Sequence, residues 1–329
     1  MHPVDPVDYK RRSKRSLKTR LKTRQLLLLI ELDEQRNIHR AAEEMDMTQP
    51  AASKQLKDLE ELLDVQLFER NTRGVVPTIF GEAMIRHARM ALATLSNAHD
   101  DLTALKAGLV GQVNVGAIMT PSVTLLPKAV TRVKDDSPLL RIGIQVDMSN
   151  NLIGRLQAGE LDFVIGRLFE QQSKSMFHYE ELAGEPLCVV ARIGHPLLKD
   201  PNLTLERIAR YGWVLSPPGS VLRHKFDLMF RRNGIEPPNN VIDTSEIPVI
   251  SELLHKSDFL HAFPVELASN YARLKIFAKL PIELPCEMDA FGIITRQNQL
   301  LSPGATRMLN AIRSVAADIY PRPLPTIQP

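Results

Sequence analysis

From Thr19 the chain carries apolar Leu21, Leu26 to Ile30 and Leu32, with Glu31, Asp33 and Glu34 on the wet side, which predicts a helix. Asn37 then suits an N-cap, and Ile38 to Met45 predicts a short helix with Ala41 and Ala42 inside. Met45, Asp46 and Met47 make a tight connection. Thr48 is the next N-cap candidate, and Pro50 falls in the first turn, where its missing N–H costs nothing. Ala52, Leu56, Leu59 and Leu63, spaced four, three and four, draw one buried stripe. Gln49, Ser53, Lys54 and Lys57 lie off that stripe. Val65 to Arg70 and Gly74 to Pro77 are short extended runs around Asn71-Thr72-Arg73-Gly74, which predicts a β-hairpin wing.

Thr78 caps a long predicted helix running to about Ala107. Along it Met84, Ala88, Ala91, Leu95, Ala98, Leu102 and Leu105 alternate four and three apart, an a/d seam over three heptads. The seam either joins two chains, the favoured reading, or packs on its own domain. Gly108 and Gly111 end the helix, and the texture changes. Strand-like runs at Val113 to Met119, Leu140 to Val146, Leu161 to Ile165, Leu187 to Ala191 and Trp213 to Leu215 alternate with candidate helices at 122–134, 151–158, 204–209 and 221–232. Such alternation predicts an α/β domain with mainly parallel sheets, large enough for two lobes.

The expected organisation is therefore α/β overall. A basic arm spans 1–20, a winged helix-turn-helix 21–78 and a linker helix 79–108. A larger α/β domain follows over 111–329, with lobe I at about 111–185 and 287–329 and lobe II at about 186–286. The crossings are placed near Glu185-Pro186 and Leu284-Pro285, with the return strand at Met288 to Arg296.

Composition narrows the function. At 329 residues, 44% hydrophobic and 24% charged, the chain is an ordinary globular one with no apolar run near its start approaching a membrane span, so the expected compartment is the cytoplasm. Cys188 and Cys286 belong to no CxxC pair and the nine histidines form no HExxH, so neither metal nor cofactor is expected. Net charge is only +3, yet nine bases and no acid lie between Lys10 and Arg24. A block of that kind is often an arm that touches nucleic acid, and otherwise a solvated tail. No GxSxG, GxGxxG or Walker motif stands where a strand meets a helix, which argues against an enzyme. The large second domain argues against a purely architectural DNA-binding protein.

Two short helices joined by so tight a turn make a helix-turn-helix, whose second helix enters the major groove by its N-terminal residues. Small Ala51, Ala52 and Ser53 let the backbone approach. Gln49 is suited to adenine, and Lys54 to guanine or phosphate. Helix–helix packing is the other source of so slim a start. Arg70 and Arg73, on the wing, are placed to meet phosphates or a minor groove.

The chain resembles the LysR-type transcriptional regulators. The resemblance is carried by Leu21-Lys22-Thr23-Arg24-Gln25-Leu26, His39-Arg40-Ala41-Ala42, Thr48-Gln49-Pro50-Ala51-Ala52-Ser53, Leu67-Phe68-Glu69-Arg70, Arg73-Gly74 and Pro77-Thr78. It continues more weakly in Gly159-Glu160-Leu161-Asp162 and Gly194-His195-Pro196-Leu197, and covers about residue 20 to the C-terminus. It implies a dimerising linker helix, a two-lobed effector domain like periplasmic binding proteins, and a tetramer that binds double-stranded DNA at an imperfect inverted repeat and contacts RNA polymerase. By the same resemblance Gln49, Pro50, Ser53 and Lys54 meet bases, while Arg24, Thr48, Arg70 and Arg73 meet the backbone or minor groove. Ile165-Gly166-Arg167-Leu168 is similar to the branch containing regulators of aromatic-acid catabolism and of sugar-binding proteins.

Ligands of open α/β sheets bind beyond the carboxyl ends of strands. Those ends are Thr120 to Ser122, Met148 and Ser149, Arg167, and, on return from lobe II, Phe263 and Pro264. Arg167 suits a carboxylate, because its fork binds two oxygens at once. A surface or inter-lobe salt bridge is the other reading of it. Together with the hydroxyls it points to a small acid or a sugar.

Overall fold

The computed structural model describes residues 19–71, 74–106, 111–168, 176–297 and 299–320. The arm from Lys10 to Lys18, Arg73 and Gly108 lie outside the described residues, as do the side chains of Arg70 and Leu105. The chain divides into two compact units, Met1–Gly111 with Ile153–Leu161, and Gln112–Leu152 with Asp162–Pro329.

The first unit opens with α1 (Thr23–Gln35), α2 (Ile38–Glu44) and α3 (Gln49–Leu63). Asn37 caps α2 by accepting from the amides of His39 and Arg40. Thr48 occupies the N-cap position of α3, but its side chain makes no capping bond there. Leu28, Leu29, Leu32, Ala41, Ala42, Ala52, Leu56 and Leu59 close one core, with Leu63 partly buried at its margin. Strands β1 (Phe68–Asn71) and β2 (Gly74–Pro77) pair antiparallel as the wing. Glu60 Oε1 accepts from the amides of Leu67 and Phe68 at 2.7 and 3.2 Å, tying the wing to α3.

Helix α4 (Ile79–Lys106) follows. Thr78 caps it, its hydroxyl accepting from Gly81 N at 3.1 Å and donating to Gln66 O. Arg89 pins α4 to α1 through Asp33 and Glu34 at 3.1 and 2.9 Å. The seam on α4 divides. Ala88 is fully buried and Met84 packs on the helix-turn-helix core, whereas Leu95 is 56% and Leu102 60% exposed in the single chain. The expectation of one dimer seam from Met84 onward is corrected. Its first turn follows the other reading, because α1 and the wing lie close enough to use Met84 and Ala88 as core.

The second unit holds one eight-stranded sheet of order β4-β3-β5-β10-β6-β9-β7-β8. Its elements are β3 (Gln112–Ala117), α5 (Met119–Thr124), α6 (Leu126–Asp136), β4 (Arg141–Val146), α7 (Ser149–Ala158, of which Ile153 onward groups with the first unit), β5 (Phe163–Gly166) and β6 (Phe177–Ala191). Then come α8 (Leu205–Ala209), β7 (Trp213–Leu215), α9 (Val221–Arg232), β8 (Val241–Asp243), α10 (Ile247–Lys256), β9 (Leu260–Pro264), α11 (Val265–Arg273), β10 (Ala278–Arg296) and α12 (Pro303–Ile319). Strands β4, β3 and β5 are parallel, as are β8, β7 and β9. The two parallel trios are joined by long antiparallel β6 and β10, which run through both lobes. The expected crossings at Glu185-Pro186 and Leu284-Pro285 are thus interior to continuous strands. Prolines remove ladder donors, and β10 meets this with register shifts around Pro281 and Pro285. The predicted helix 122–134 is two helices, broken at Leu125.

Candidate functional site

Two sites follow from these elements. On the first unit, α3 presents its N-terminal turn. Lys54 and Pro50 are exposed, while Gln49 and Ser53 are half-buried, Gln49 Nε2 donating to Ser53 Oγ at 2.7 Å. Of the small residues that open α3, Ala52 is fully buried and Ala51 and Ser53 are half-buried, so packing uses part of the slim start, while Pro50 and Lys54 face outward. The turn into α3 is held by Met47 N on Ala42 O and by Arg24, whose Nη2 donates to Met45 O at 3.2 Å. Arg24 thus has a structural partner that its spacing did not reveal. Gly74 sits at φ +130°, and a Cβ there would come to 2.1 Å from Arg36 O. Only glycine lets the wing lie that close to the end of α1.

On the second unit, the register shows where the strand ends meet. Gly166, ending β5, pairs with Gly292 on β10, and Pro264, ending β9, pairs with Leu187 on β6. Between them Met288 lies opposite Glu185 and Glu287 opposite Pro186. The carboxyl ends of β5 and β9, one strand from each parallel trio, therefore abut one crossing segment from opposite sides.

Arg167, the first residue after β5, is 8% exposed. Its amide donates to Ser149 Oγ at 2.9 Å, its Nε donates to Asp289 O at 2.7 Å, and its Nη2 is ion-paired with buried Glu185. The salt-bridge reading of Arg167 accordingly describes its state in this structure. The side chain of Asp289 takes Lys225 Nζ from α9 at 2.7 Å. Nearby, Tyr320 past α12 donates to the Glu266 carboxylate at the start of α11, at 2.9 Å, and burial raises its phenol well above the usual range.

The other predicted effector residues are distributed unevenly. Thr120 and Ser149 are buried, Met148 is exposed, and Ser122 Oγ donates to Met119 O at 2.7 Å. Phe263 departs from expectation. Its ring packs among His261, Tyr271 and Phe277 in a core of lobe II that Val123 of α5 also joins, because alternation along β9 turns it there, while Pro264 at the strand end pairs with Leu187. Glu185, Asp289, Lys225, Glu266 and Tyr320 were not anticipated. Their signal was a glutamate next to Pro186 at a predicted crossing, which is legible only once β6 and β10 are paired. A cavity of about 390 Å³ lined by Arg132, Asp136, Arg307 and Asn310 lies elsewhere, between α6 and α12. Since α6 runs back along the sheet, its last residues sit at the amino ends of the strands, away from this crossing.

A winged helix-turn-helix followed by an α/β domain with strand ends gathered at one crossing defines a DNA-binding regulator with a small-molecule effector domain. The comparisons with known proteins name the family. The model described as "Bacterial regulatory helix-turn-helix protein, lysR family" matches residues 23–82, and "LysR substrate binding domain" matches residues 106–317. The chain is 41% identical over 315 residues to the HTH-type transcriptional regulator GbpR of Azospirillum brasilense, covering 95% of this chain and 92% of that protein. It is 36% identical over 249 residues to GbpR of Rhizobium radiobacter, covering 75% and 82%. Its fold is similar to the crystal structure of full-length CbnR complexed with its target DNA, with a TM-score of 0.58 at 21% identity over 90% of this chain and all of that one. The chain belongs to the LysR family of transcriptional regulators. That family consists of regulators, which are generally not enzymes.

Proposed function

We propose that the chain reads an imperfect inverted repeat in promoter DNA through α3 and that a small carboxylate or sugar, bound where the strand ends meet, alters that binding. Gln49, Pro50, Ser53 and Lys54 face the bases in this reading, while Arg24, Thr48, Arg70 and Arg73 meet the backbone or minor groove. The observation that carries it is the outward turn Gln49–Lys54 beside a wing, with polar groups at the helix start where a major-groove reader needs them. Exposed Ala91, Leu95, Ala98 and Leu102 form the surface through which two chains pair, Leu105 continuing the spacing; dimers associate in pairs and act on RNA polymerase in the cytoplasm.

The effector contacts Thr120, Ser122, Met148, Ser149, Arg167 and Pro264, and its binding changes the arrangement of the lobes. Phe263 supports this site from behind. The reading is supported by the convergence of the β5 and β9 ends on one crossing that also holds buried charge. A thermal-shift screen of carboxylates and sugars tests it, because a ligand of the folded state raises apparent stability. A hit that stabilises the wild type and loses its effect in Thr120→Val is expected. A hit that acts equally on both removes the assignment.

A further inference from the structure

We propose that Glu185 sets the charge preference of this site: by holding the Arg167 fork it favours a neutral, hydroxyl-rich effector over a carboxylate. The inference rests on the reading of an effector site where the strand ends meet, a cleft between the lobes, and sharpens it to one chemical class. Three observations carry it. Arg167 is buried and already ion-paired with Glu185, which is itself 6% exposed. Lys225, the cation reaching the same segment from lobe II, is matched by Asp289. Glu266, a third carboxylate, faces the phenol of Tyr320 from α11. Arg167 and Lys225 are thus each matched by a carboxylate, and Glu266 and Glu287 add further negative charge around the same segment.

A carboxylate arriving here gains little from Arg167, because the opposing charge of Glu185 sits directly on the same guanidinium. To take the fork it must displace Glu185 and leave a buried carboxylate unpaired, which is strongly unfavourable in a low-dielectric site. A hydroxyl makes no such demand. It accepts from a guanidinium N–H and donates to a carboxylate, so a diol or sugar adds to the Arg167–Glu185 pair without breaking it. Ser149 Oγ, which accepts from the Arg167 amide, belongs to the same polar cluster, and buried Thr120 follows the end of the neighbouring strand β3.

The test compares neutral and acidic partners that differ at one carbon: glucose with glucuronate, galactose with galacturonate, and benzyl alcohol with benzoate. Affinities for the full chain are measured by titration calorimetry for the wild type and Glu185→Gln. The wild type is expected to bind a neutral member at least about tenfold more tightly than its acid, the scale of a like-charge penalty in a buried site. Glu185→Gln is expected to shift that ratio toward the acid by a similar factor. Tighter binding of the acid by the wild type, or an unchanged ratio in Glu185→Gln, overturns the proposal while leaving the cleft in place. Should Glu185→Gln not fold, Arg167→Gln with Glu185→Gln removes both charges together. That pair is expected to bind both members within about threefold of each other, and retention of the wild-type ratio overturns the proposal. Thr120→Val binding every compound as the wild type does removes the cleft reading itself, and no binding to the wild type by any of the six removes both.

Discussion

Gln49 and Ser53 are hydrogen-bonded to each other, Nε2 to Oγ at 2.7 Å, one turn apart on the outward side of α3. Residues that share a bond act as a unit. Gln49→Ala and Ser53→Ala are each expected to weaken specific DNA binding by about 1–3 kcal/mol, the range for a lost base contact. Their double mutant is expected to lose less than the sum, by at least about 0.5 kcal/mol. Fluorescence anisotropy on one duplex with the four proteins measures this cycle, and strict additivity argues that the two side chains contact DNA independently.

Gly74→Ala is expected to destabilise the first unit by more than about 1 kcal/mol, since alanine is both strained at φ +130° and driven against Arg36 O. Circular-dichroism melting should show the drop. An unchanged melting temperature means that the wing does not rest on the end of α1 as described.

How much of this was legible in the sequence varies with the range of the forces involved. The helix-turn-helix was readable almost residue by residue, because Asn37, Pro50 and Thr78 act locally and Ala52, Leu56 and Leu59 repeat at helical spacing. In the second unit β3, β4 and β7 were readable as apolar runs. The full lengths of β6 and β10 were not, because each alternates polar and apolar residues through bulges and spans both lobes. Strand β8, helices α10 and α11, and α12 carry no motif that marks them in the sequence. Of the proposed effector site, the strand ends at Thr120, Ser149 and Arg167 are readable from the βα rule. The partnership of Arg167 with Glu185 was not, since it depends on β6 returning past β5 through β10. The packing of Phe263 among His261, Tyr271 and Phe277 is not legible either, since the residues that face it come from elements far apart in the chain.

Leu102→Glu places a charge on the exposed part of α4, whereas Ala88→Glu buries one inside the helix-turn-helix core. The first is expected to lower the oligomeric state at unchanged helical content, and the second to unfold the unit by several kcal/mol. Sedimentation velocity together with circular dichroism separates them. A Leu102→Glu protein that sediments as the wild type does removes this face from the dimer surface.

His261 is buried and its Nδ1 donates to Val214 O at 2.7 Å, and burial lowers its pKa to about 4. The neutral ring is therefore the folded form, while the unfolded chain takes up a proton near pH 6.5. The sign follows from proton counts: between about pH 6.5 and 4 the unfolded state binds more, so stability falls as pH falls through that window. About 2 kcal/mol should be lost between pH 7 and pH 5 from this group. Urea denaturation at the two values measures it, and His261→Gln is expected to flatten the difference. An equal loss in the variant assigns the effect to other groups.

The most direct test of the account is specific binding to the DNA upstream of the chain's own gene, followed by anisotropy across a salt series. Log affinity is expected to fall steeply and linearly with log salt, as counterion release requires, and Gln49→Ala is expected to be at least about tenfold weaker on the specific site while matching the wild type on unrelated DNA. Binding that ignores salt, and is identical in Gln49→Ala on both duplexes, would contradict the claim that α3 reads DNA.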